Sequence, residues 1–389
     1  MKDDTLLTHA GNAPFDNHGV VNPPVYHAST ILFPTLEAYR KAKTAKVRYG
    51  RRGTPTSFAL EDAVAALEGG SGAVSTPSGL SAITAVITAC VKAGDHILVS
   101  DSAYQPTRYF CQTVLAKFGV ETEYYDPTLG GGIAALMRAN TSVVFVESPG
   151  SLTFEVQDIP AIAEAAHKTG AIVIADNTWG AGYYYKPLAL GADISLQAGT
   201  KYIVGHSDTN LGIAVWKDGD RFDHIRDDVQ NMGICAGPDD LYLALRGLRT
   251  MGVRMPRHFE SGLRIARWLK NRPEVSHVMH PALTDDPGHA LWKRDFTGAC
   301  GLFGFVLHNT DQKALAAMMD GLKLHGMGAS WGGYESLMIP ASPNTSRSAT
   351  RWEIEGQCMR IHVGLEDPDD LIADIEAGLE RLNKAGQKP

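Results

Sequence analysis

Residues 171–178 read Ala-Ile-Val-Ile-Ala-Asp-Asn-Thr, an apolar run that ends on an acid and two small polar residues. A continuous apolar run of this length is typical of a strand that is buried on both faces of a parallel sheet. The segment before it carries helix start signals at Asp158 and Pro160 and a stop signal at Gly170. A helix followed by a buried strand predicts an α/β unit, and it places Asp176 at the carboxyl end of the strand, where open parallel sheets bind ligands.

The same alternation extends from about residue 56 to residue 215. A helix is predicted from Ser78 to Lys92, a strand follows at His96–Ser100, and another apolar run occupies residues 143–146. Repetition of strand and helix predicts an α/β fold with a mostly parallel central sheet that helices cover on both faces. This pattern identifies residues 56–248 as one domain.

The flanking segments differ from this domain. Residues 1–55 are interrupted by prolines and are predicted to form an irregular arm, which would be poorly ordered unless it packs on a neighbour. A long amphipathic stretch from about 239 to 271 leads to a second, smaller α/β domain at residues 249–389. Strands are predicted there at residues 302–307 and 359–363, and a final helix begins near Asp367.

Composition limits the class of function. The chain has 389 residues and a net charge of -7, without a block of Lys or Arg, so we expect neither nucleic acid nor a membrane surface as partner. The first residues do not resemble a signal peptide, and no run reaches the ~18 apolar residues of a membrane span. Five widely spaced cysteines without a C-x-x-C motif favour free thiols and a cytoplasmic location. No H-E-x-x-H motif is present, so no metal site is predicted.

Lys201 follows Asp176 by twenty-five positions and again comes after an apolar segment. Most lysines are simply exposed, but a lysine framed by two buried strands has a lowered pKa and a nucleophilic amine, as Schiff-base chemistry requires. Ser78, Gly79 and Leu80 open a helix whose free backbone N–H groups would suit a phosphate, although Ser and Gly also start ordinary helices.

Together these features suit pyridoxal 5'-phosphate. The phosphate would lie at Ser78, Gly79 and Leu80, and Asp176 would keep the pyridine nitrogen protonated. Lys201 would hold the aldehyde carbon as a Schiff base. Tyr104, just after the strand at His96–Ser100, would stack on the ring, although a tyrosine at this position would equally suit a core or a loop.

A resemblance to a known family rests on two motifs. Asp176-Asn177-Thr178 and the segment from Thr200-Lys201-Tyr202 to Gly205-His206-Ser207-Asp208 resemble the Cys/Met-metabolism pyridoxal-phosphate enzymes. The resemblance runs from Thr8 to Asp367 and implies the fold-type I transferase-like architecture. Residues 330–336, Ser-Trp-Gly-Gly-Tyr-Glu-Ser, are similar to those of bacterial cystathionine β-lyases, whereas γ-specific relatives usually carry Leu in place of Trp331.

The resemblance implies roles for individual residues. The catalytic residues would be Lys201, Tyr104 and Asp176. Gly79, Leu80 and Thr200 would hold the phosphate, and Tyr49 and Arg51 of the arm would reach the phosphate of a neighbouring subunit. Arg360 would clamp the substrate carboxylate, and Ser330 and Trp331 would shape the substrate pocket. The family implies a homotetramer built from two dimers.

The implied reaction is an α,β-elimination that converts cystathionine to homocysteine, pyruvate and ammonia in methionine biosynthesis. Other elimination or replacement reactions of the same family, and a non-catalytic regulatory protein on this fold, stay open as alternatives, because fold alone does not fix function. Two departures from the family pattern bear on this expectation. Ala198 stands where many relatives have Ser, and Gln230 stands where β-lyases often have Tyr.

Overall fold

Two β-sheets organise the chain, whose computed structural model describes residues 1–308 and 310–386. The larger sheet has seven strands: β1 (Gly72–Thr76), β2 (His96–Ser100), β3 (Glu121–Tyr125), β4 (Thr141–Glu147), β5 (Ile172–Asp176), β6 (Ile194–Gln197) and β7 (Gly212–Trp216). The smaller sheet has four: β8 (Val275–Met279), β9 (Leu302–Leu307), β10 (Leu337–Ala341) and β11 (Gln357–His362).

The larger sheet has the strand order β1-β7-β6-β5-β4-β2-β3. Only β7 runs antiparallel to its neighbours, and the other pairings are parallel. The prediction of a mostly parallel central sheet is therefore confirmed. Because β4 and β5 are parallel and in register, Glu147 and Asp176 end side by side at the same edge.

Thirteen α-helices are present in the described part of the chain: α1 (Asp3–His9), α2 (Leu36–Lys41), α3 (Pro55–Glu68), α4 (Gly79–Cys90), α5 (Gln105–Thr113), α6 (Ile159–Thr169), α7 (Gly219–Phe222), α8 (His224–Asn231), α9 (Pro238–Leu248), α10 (Met251–Lys270), α11 (His289–Asp295), α12 (Gln312–Met319) and α13 (Pro368–Gly386). Alternate strand residues pack on opposite sides of the larger sheet. Val144 and Val146 join the core that contains α6, and Val143 and Phe145 join the core that contains α4. Helices thus cover both faces, as predicted.

The smaller sheet is entirely antiparallel, with the order β10-β11-β9-β8. Its inner face packs on α12 and α13 to form a core of its own. Other residues of this region, including Leu302 and Cys358, belong to the same core as the larger sheet. This shared core brings the end of β11 close to the ends of β4 and β5, and thereby sets the position of the site.

The N-terminal segment is more ordered than the expectation of an irregular arm. It contains α1 and α2, and Leu7 in α1 is buried against α3 and α10. Beyond α1 the segment exposes several large apolar side chains, among them Phe15, Leu32 and Tyr39. No helix within residues 1–308 and 310–386 is both long enough and apolar enough to cross a bilayer.

Candidate active site

A cavity of about 210 Å³ lies at the carboxyl edge of the larger sheet, where the smaller sheet approaches it. The ends of β4 and β5, the start of α4 and the strand β11 all contribute side chains to it. The residues predicted from sequence that line this cavity are Ser78, Gly79, Leu80, Tyr104, Asp176, Thr200, Lys201, Trp331 and Arg360. One cavity therefore brings together most of the predicted site.

Lys201 lies in the loop between β6 and β7 and extends its amine into this cavity. Its Nζ donates a 2.8 Å hydrogen bond to Ser330 Oγ and lies 5.4 Å from the centroid of the Trp331 ring. Burial, and then the positive charge of Arg360, lowers the pKa of Lys201 to about 8. Far more of this amine is therefore uncharged at neutral pH than of an ordinary lysine, and the uncharged form is the one that attacks an aldehyde.

Asp176 is buried at the end of β5, with 9% of its surface exposed. The backbone N–H and the hydroxyl of Thr178 both donate to Oδ1, and the Thr178 hydroxyl in turn accepts from the N–H of Ala198. Among the described residues no donor bonds to Oδ2. Burial raises the pKa of Asp176 in spite of the bonds from Thr178. A cationic ring nitrogen opposite Oδ2 would satisfy this oxygen and favour the charged carboxylate.

Glu147 is a second buried acid in the cavity, and it was not among the residues predicted from sequence. It ends β4 beside Asp176, accepts a 2.7 Å bond from the N–H of Tyr104 at Oε2, and accepts a 2.6 Å bond from Ser151 Oγ at Oε1. Burial, and then the neighbouring Asp176, raises the pKa of Glu147 to about 8. The same sequence pattern that predicted Asp176 also applies to Glu147, because Glu147 follows the apolar run at residues 143–146 just as Asp176 follows residues 171–175.

The start of α4 forms one end of the cavity. Ser78 caps the helix by accepting from Ser81 N–H, while the N–H groups of Gly79 and Leu80 belong to the first turn, which has no helical acceptor for them. A Cβ at Gly79 would lie 2.5 Å from the Cβ of Ala198, so only glycine fits there. The Thr200 hydroxyl donates to the Leu211 carbonyl and accepts from the Leu211 N–H. Donation from Thr200 to a phosphate would therefore replace the bond to that carbonyl.

Arg360 and Tyr104 also line the cavity. Arg360 projects from β11, and its Nη2 donates a 3.2 Å bond to the Ser330 carbonyl oxygen. Tyr104 is 46% exposed, and burial of the remainder, followed by the charge of Glu147, raises the pKa of its phenol. Tyr104 therefore keeps its proton at neutral pH. The cavity thus contains one fixed positive charge, one reactive amine and two buried acids.

Tyr49 and Arg51 do not line this cavity. Arg51 lines a separate cavity of about 350 Å³ between the arm and α3, and its guanidinium donates to the carbonyl oxygen of Gln230. The Gln230 side chain is held by Arg52, to whose carbonyl oxygen it donates a 3.1 Å bond. The two predicted arm residues and Gln230 are thus grouped on one surface, away from Lys201 of the same chain.

Three features of the Lys201 cavity fit pyridoxal phosphate: a buried lysine with a lowered pKa, a buried acid with one oxygen free, and the start of a helix. The family model for Cys/Met metabolism PLP-dependent enzymes matches residues 4–380. Two curated relatives show the range of reactions. Cystathionine beta-lyase of Salmonella typhimurium is 45% identical over 97% of this chain and 98% of its own length. L-alanine/L-glutamate racemase of Wolbachia pipientis is 40% identical over 98% of each chain.

A solved structure agrees with this match. The crystal structure of cystathionine gamma synthase from Xanthomonas oryzae pv. oryzae, in complex with aminoacrylate and cysteine, superposes with a TM-score of 0.92 at 31% identity and covers 99% of both chains. The similarity therefore includes both sheets, the arm and the site. By sequence and by structure, this chain belongs to the Cys/Met metabolism family of pyridoxal-phosphate-dependent enzymes.

Proposed function

We propose that the chain is a cystathionine β-lyase, a carbon–sulfur lyase that converts cystathionine and water to homocysteine, pyruvate and ammonia. The observation that carries this proposal is the Lys201 amine, buried in one cavity with Asp176 and Arg360. A pyridoxal phosphate bound there supplies an electron sink for the charge that develops at Cα. The homocysteine product would serve methionine biosynthesis.

Lys201 is proposed to bind the cofactor and then to move the proton. Its free amine would take the proton from Cα, because the lowered pKa leaves more of the amine unprotonated and able to accept a proton at neutral pH. Tyr104 has a raised pKa and is therefore better suited to stack and to donate a hydrogen bond than to act as a base. Asp176 would keep the ring nitrogen of the cofactor protonated, and its Oδ2 is available for this because Thr178 donates only to Oδ1.

Arg360 is proposed to orient the substrate through its carboxylate. The guanidinium is largely buried, has one bond to the Ser330 carbonyl, and keeps other N–H groups for a two-point contact with a carboxylate. Ser330 and Trp331 form the wall above Lys201 and are proposed to shape the pocket for a β-thioether. Gly79, Leu80 and Thr200 are proposed to hold the phosphate.

We also propose that the active unit contains two chains. Tyr49 and Arg51 lie away from Lys201 of their own chain, on a segment that exposes Phe15, Leu32 and Tyr39. Such exposed apolar side chains favour contact with a second copy of the chain. The arm of residues 1–55 would then complete the phosphate site of that second subunit. Residues 56–248 would then bind the cofactor, and residues 249–389 would complete the substrate site. The proposal includes a tetramer of two such dimers and a cytoplasmic location.

Product analysis tests the reaction. The purified enzyme with pyridoxal phosphate and L-cystathionine is expected to release pyruvate and homocysteine in equal amounts. Detection of 2-oxobutyrate and cysteine would instead assign γ-elimination, and absence of any turnover would favour the non-catalytic alternative.

A racemase is the second candidate, because a racemase shares 40% identity over 98% of the chain. Racemisation also needs proton removal at Cα, but the proton returns to the opposite face and no group leaves. Chiral analysis of L-alanine incubated with the enzyme separates the two reactions. The lyase proposal predicts that pyruvate release from cystathionine is faster than formation of D-alanine, and the reverse order of rates would contradict it.

A further inference from the structure

The turn from Ser330 to Gly333 packs directly on Lys201. Gly332 has a φ of +84°, and a Cβ there would lie 2.9 Å from the Lys201 Cα, so the contact requires glycine. Ser330, in the same turn, accepts the 2.8 Å hydrogen bond from Lys201 Nζ. A displacement of this turn would therefore move the hydrogen-bond partner of the reactive amine.

Two side chains of β11 form hydrogen bonds with the backbone of this turn. Arg360 and His362 are alternate residues of the strand and so project from the same face. Arg360 Nη2 donates to the Ser330 carbonyl oxygen, at the first residue of the turn. His362 Nε2 lies 3.2 Å from the Gly332 nitrogen and 3.1 Å from the Gly333 carbonyl oxygen, at its end. One ring nitrogen thus contacts both peptide groups, and its tautomer decides whether it accepts or donates.

Within residues 1–308 and 310–386, the ring nitrogens of His362 have no hydrogen-bond partner other than this turn. Its ring is fully buried, and Nδ1 has no hydrogen-bond partner among the residues that the structure describes. His258 packs at 5.3 Å between ring centroids, but it uses its own Nδ1 on the Val363 carbonyl oxygen. Burial lowers the pKa of His362 well below its usual value, and the charges of His258, Arg360 and Lys201 act in the same direction.

A neutral, half-satisfied imidazole in a core is costly, and an apolar side chain would avoid that cost. We propose that His362 is a positioning residue, which fixes the Gly332–Gly333 peptide so that Ser330 meets the amine of Lys201. It acts through the turn and has no contact with the substrate. The inference rests on the proposed role of Lys201 in the lyase reaction.

Replacing His362 with Gln or with Asn distinguishes a role in positioning the turn from a role in core packing alone. The amide of Gln extends to about the position of Nε2, whereas the shorter amide of Asn extends only to about that of Nδ1. His362→Gln is therefore expected to keep kcat within a few-fold of the native enzyme. His362→Asn is expected to lose about 10²-fold in kcat, the effect of a misplacement of ~1 Å, with little change in KM because Arg360 remains.

A spectroscopic measurement accompanies the kinetics. The absorption band of the bound cofactor changes with pH, and its midpoint is expected to shift in His362→Asn but not in His362→Gln. Only His362→Asn should break the hydrogen bond between Ser330 and Lys201. His258→Asn serves as the matched control, since it perturbs the same core without a contact to the turn and should leave this midpoint unchanged. If His362→Asn does not accumulate as folded protein, His362→Ser also lacks the reach to Gly332 and replaces it.

Equal losses in the Gln and Asn variants would overturn the proposal, and so would an Asn variant whose kcat and spectral titration match those of the native enzyme. A native enzyme that releases no pyruvate would refute the lyase function. The spectral comparison would still test the role of His362 in that case, because it needs only the bound cofactor.

Discussion

At the scale of single residues, the charge state of Lys201 follows from its surroundings. Because only the neutral amine attacks an aldehyde, recombination of the cofactor-free enzyme with pyridoxal phosphate should accelerate as pH rises through about 8. Arg360→Met should move this midpoint upward, since it removes a charge that opposes protonation, and Arg360→Lys should largely preserve it. Stopped-flow absorbance measures the rates. A midpoint at the ordinary lysine value of 10.5 would contradict the burial of the amine.

Some residues of the site could be predicted from the sequence, and others could not. Asp176 and Lys201 follow apolar runs, so position at a strand end was enough to select them. Glu147 satisfies the same rule but was not predicted. The contacts of Ser330 and His362 with the Lys201 region join residues that are distant in sequence, and no local pattern encodes them.

At the scale of elements, Asp101 joins the end of β2 to the segment between β10 and β11. Its carboxylate accepts bonds from the N–H groups of Ser348, Ala349 and Thr350 and from Arg108 Nη1. Burial disfavours the charge, but the bonds from Ser348 and Thr350 outweigh burial and lower the pKa of Asp101. The charged Asp101 carboxylate therefore stabilises the fold fully above the pKa of an unfolded aspartate, about 3.9. This stabilisation is lost as pH falls through the lower pKa that Asp101 has in the folded state.

Asp101→Asn places an amide among backbone donors and leaves at least one of them unsatisfied. We expect a loss of about 1–3 kcal/mol in the free energy of unfolding at pH 7, together with faster amide exchange in residues 347–351. Urea denaturation and hydrogen-exchange mass spectrometry measure the two effects. Asp126→Asn, in an exposed turn, is the control. Unchanged exchange in residues 347–351 would contradict the proposed anchoring.

Strand positions were predictable where the strand carries a continuous run of large apolar residues, and they were missed at both edges of the larger sheet. The predicted strand at His96–Ser100 is confirmed with the same bounds. The edge strand β3, Glu-Thr-Glu-Tyr-Tyr, is half-exposed and lacks a continuous apolar run, and β1 consists of small residues. The single amphipathic stretch predicted at residues 239–271 is two helices. At the break, Arg249 donates to the carbonyl oxygens of Leu7 and Ala10, a tertiary contact that sequence periodicity cannot reveal.

At the scale of the whole molecule, the arm should complete the site of another chain. Mixing inactive Arg51→Ala and Lys201→Ala subunits creates heterodimers in which one site has an intact lysine and an intact arm. Random reassociation of equal amounts of the two variants should therefore restore about a quarter of the native sites, because half of the dimers are mixed and each mixed dimer has one complete site. Turnover of cystathionine before and after mixing measures this. Failure of confirmed mixed dimers to regain activity would place Arg51 in the site of its own chain.

The Schiff base proposed at Lys201 can be identified by reduction of the cofactor-loaded enzyme with borohydride, followed by peptide mass spectrometry. Reduction makes a lysine–cofactor Schiff base permanent, so the modified residue can be identified. We predict a single pyridoxyl phosphate adduct, on the peptide that contains Lys201, and none in the Lys201→Ala variant. An adduct on another lysine of the native enzyme, with Lys201 unmodified, would contradict the account.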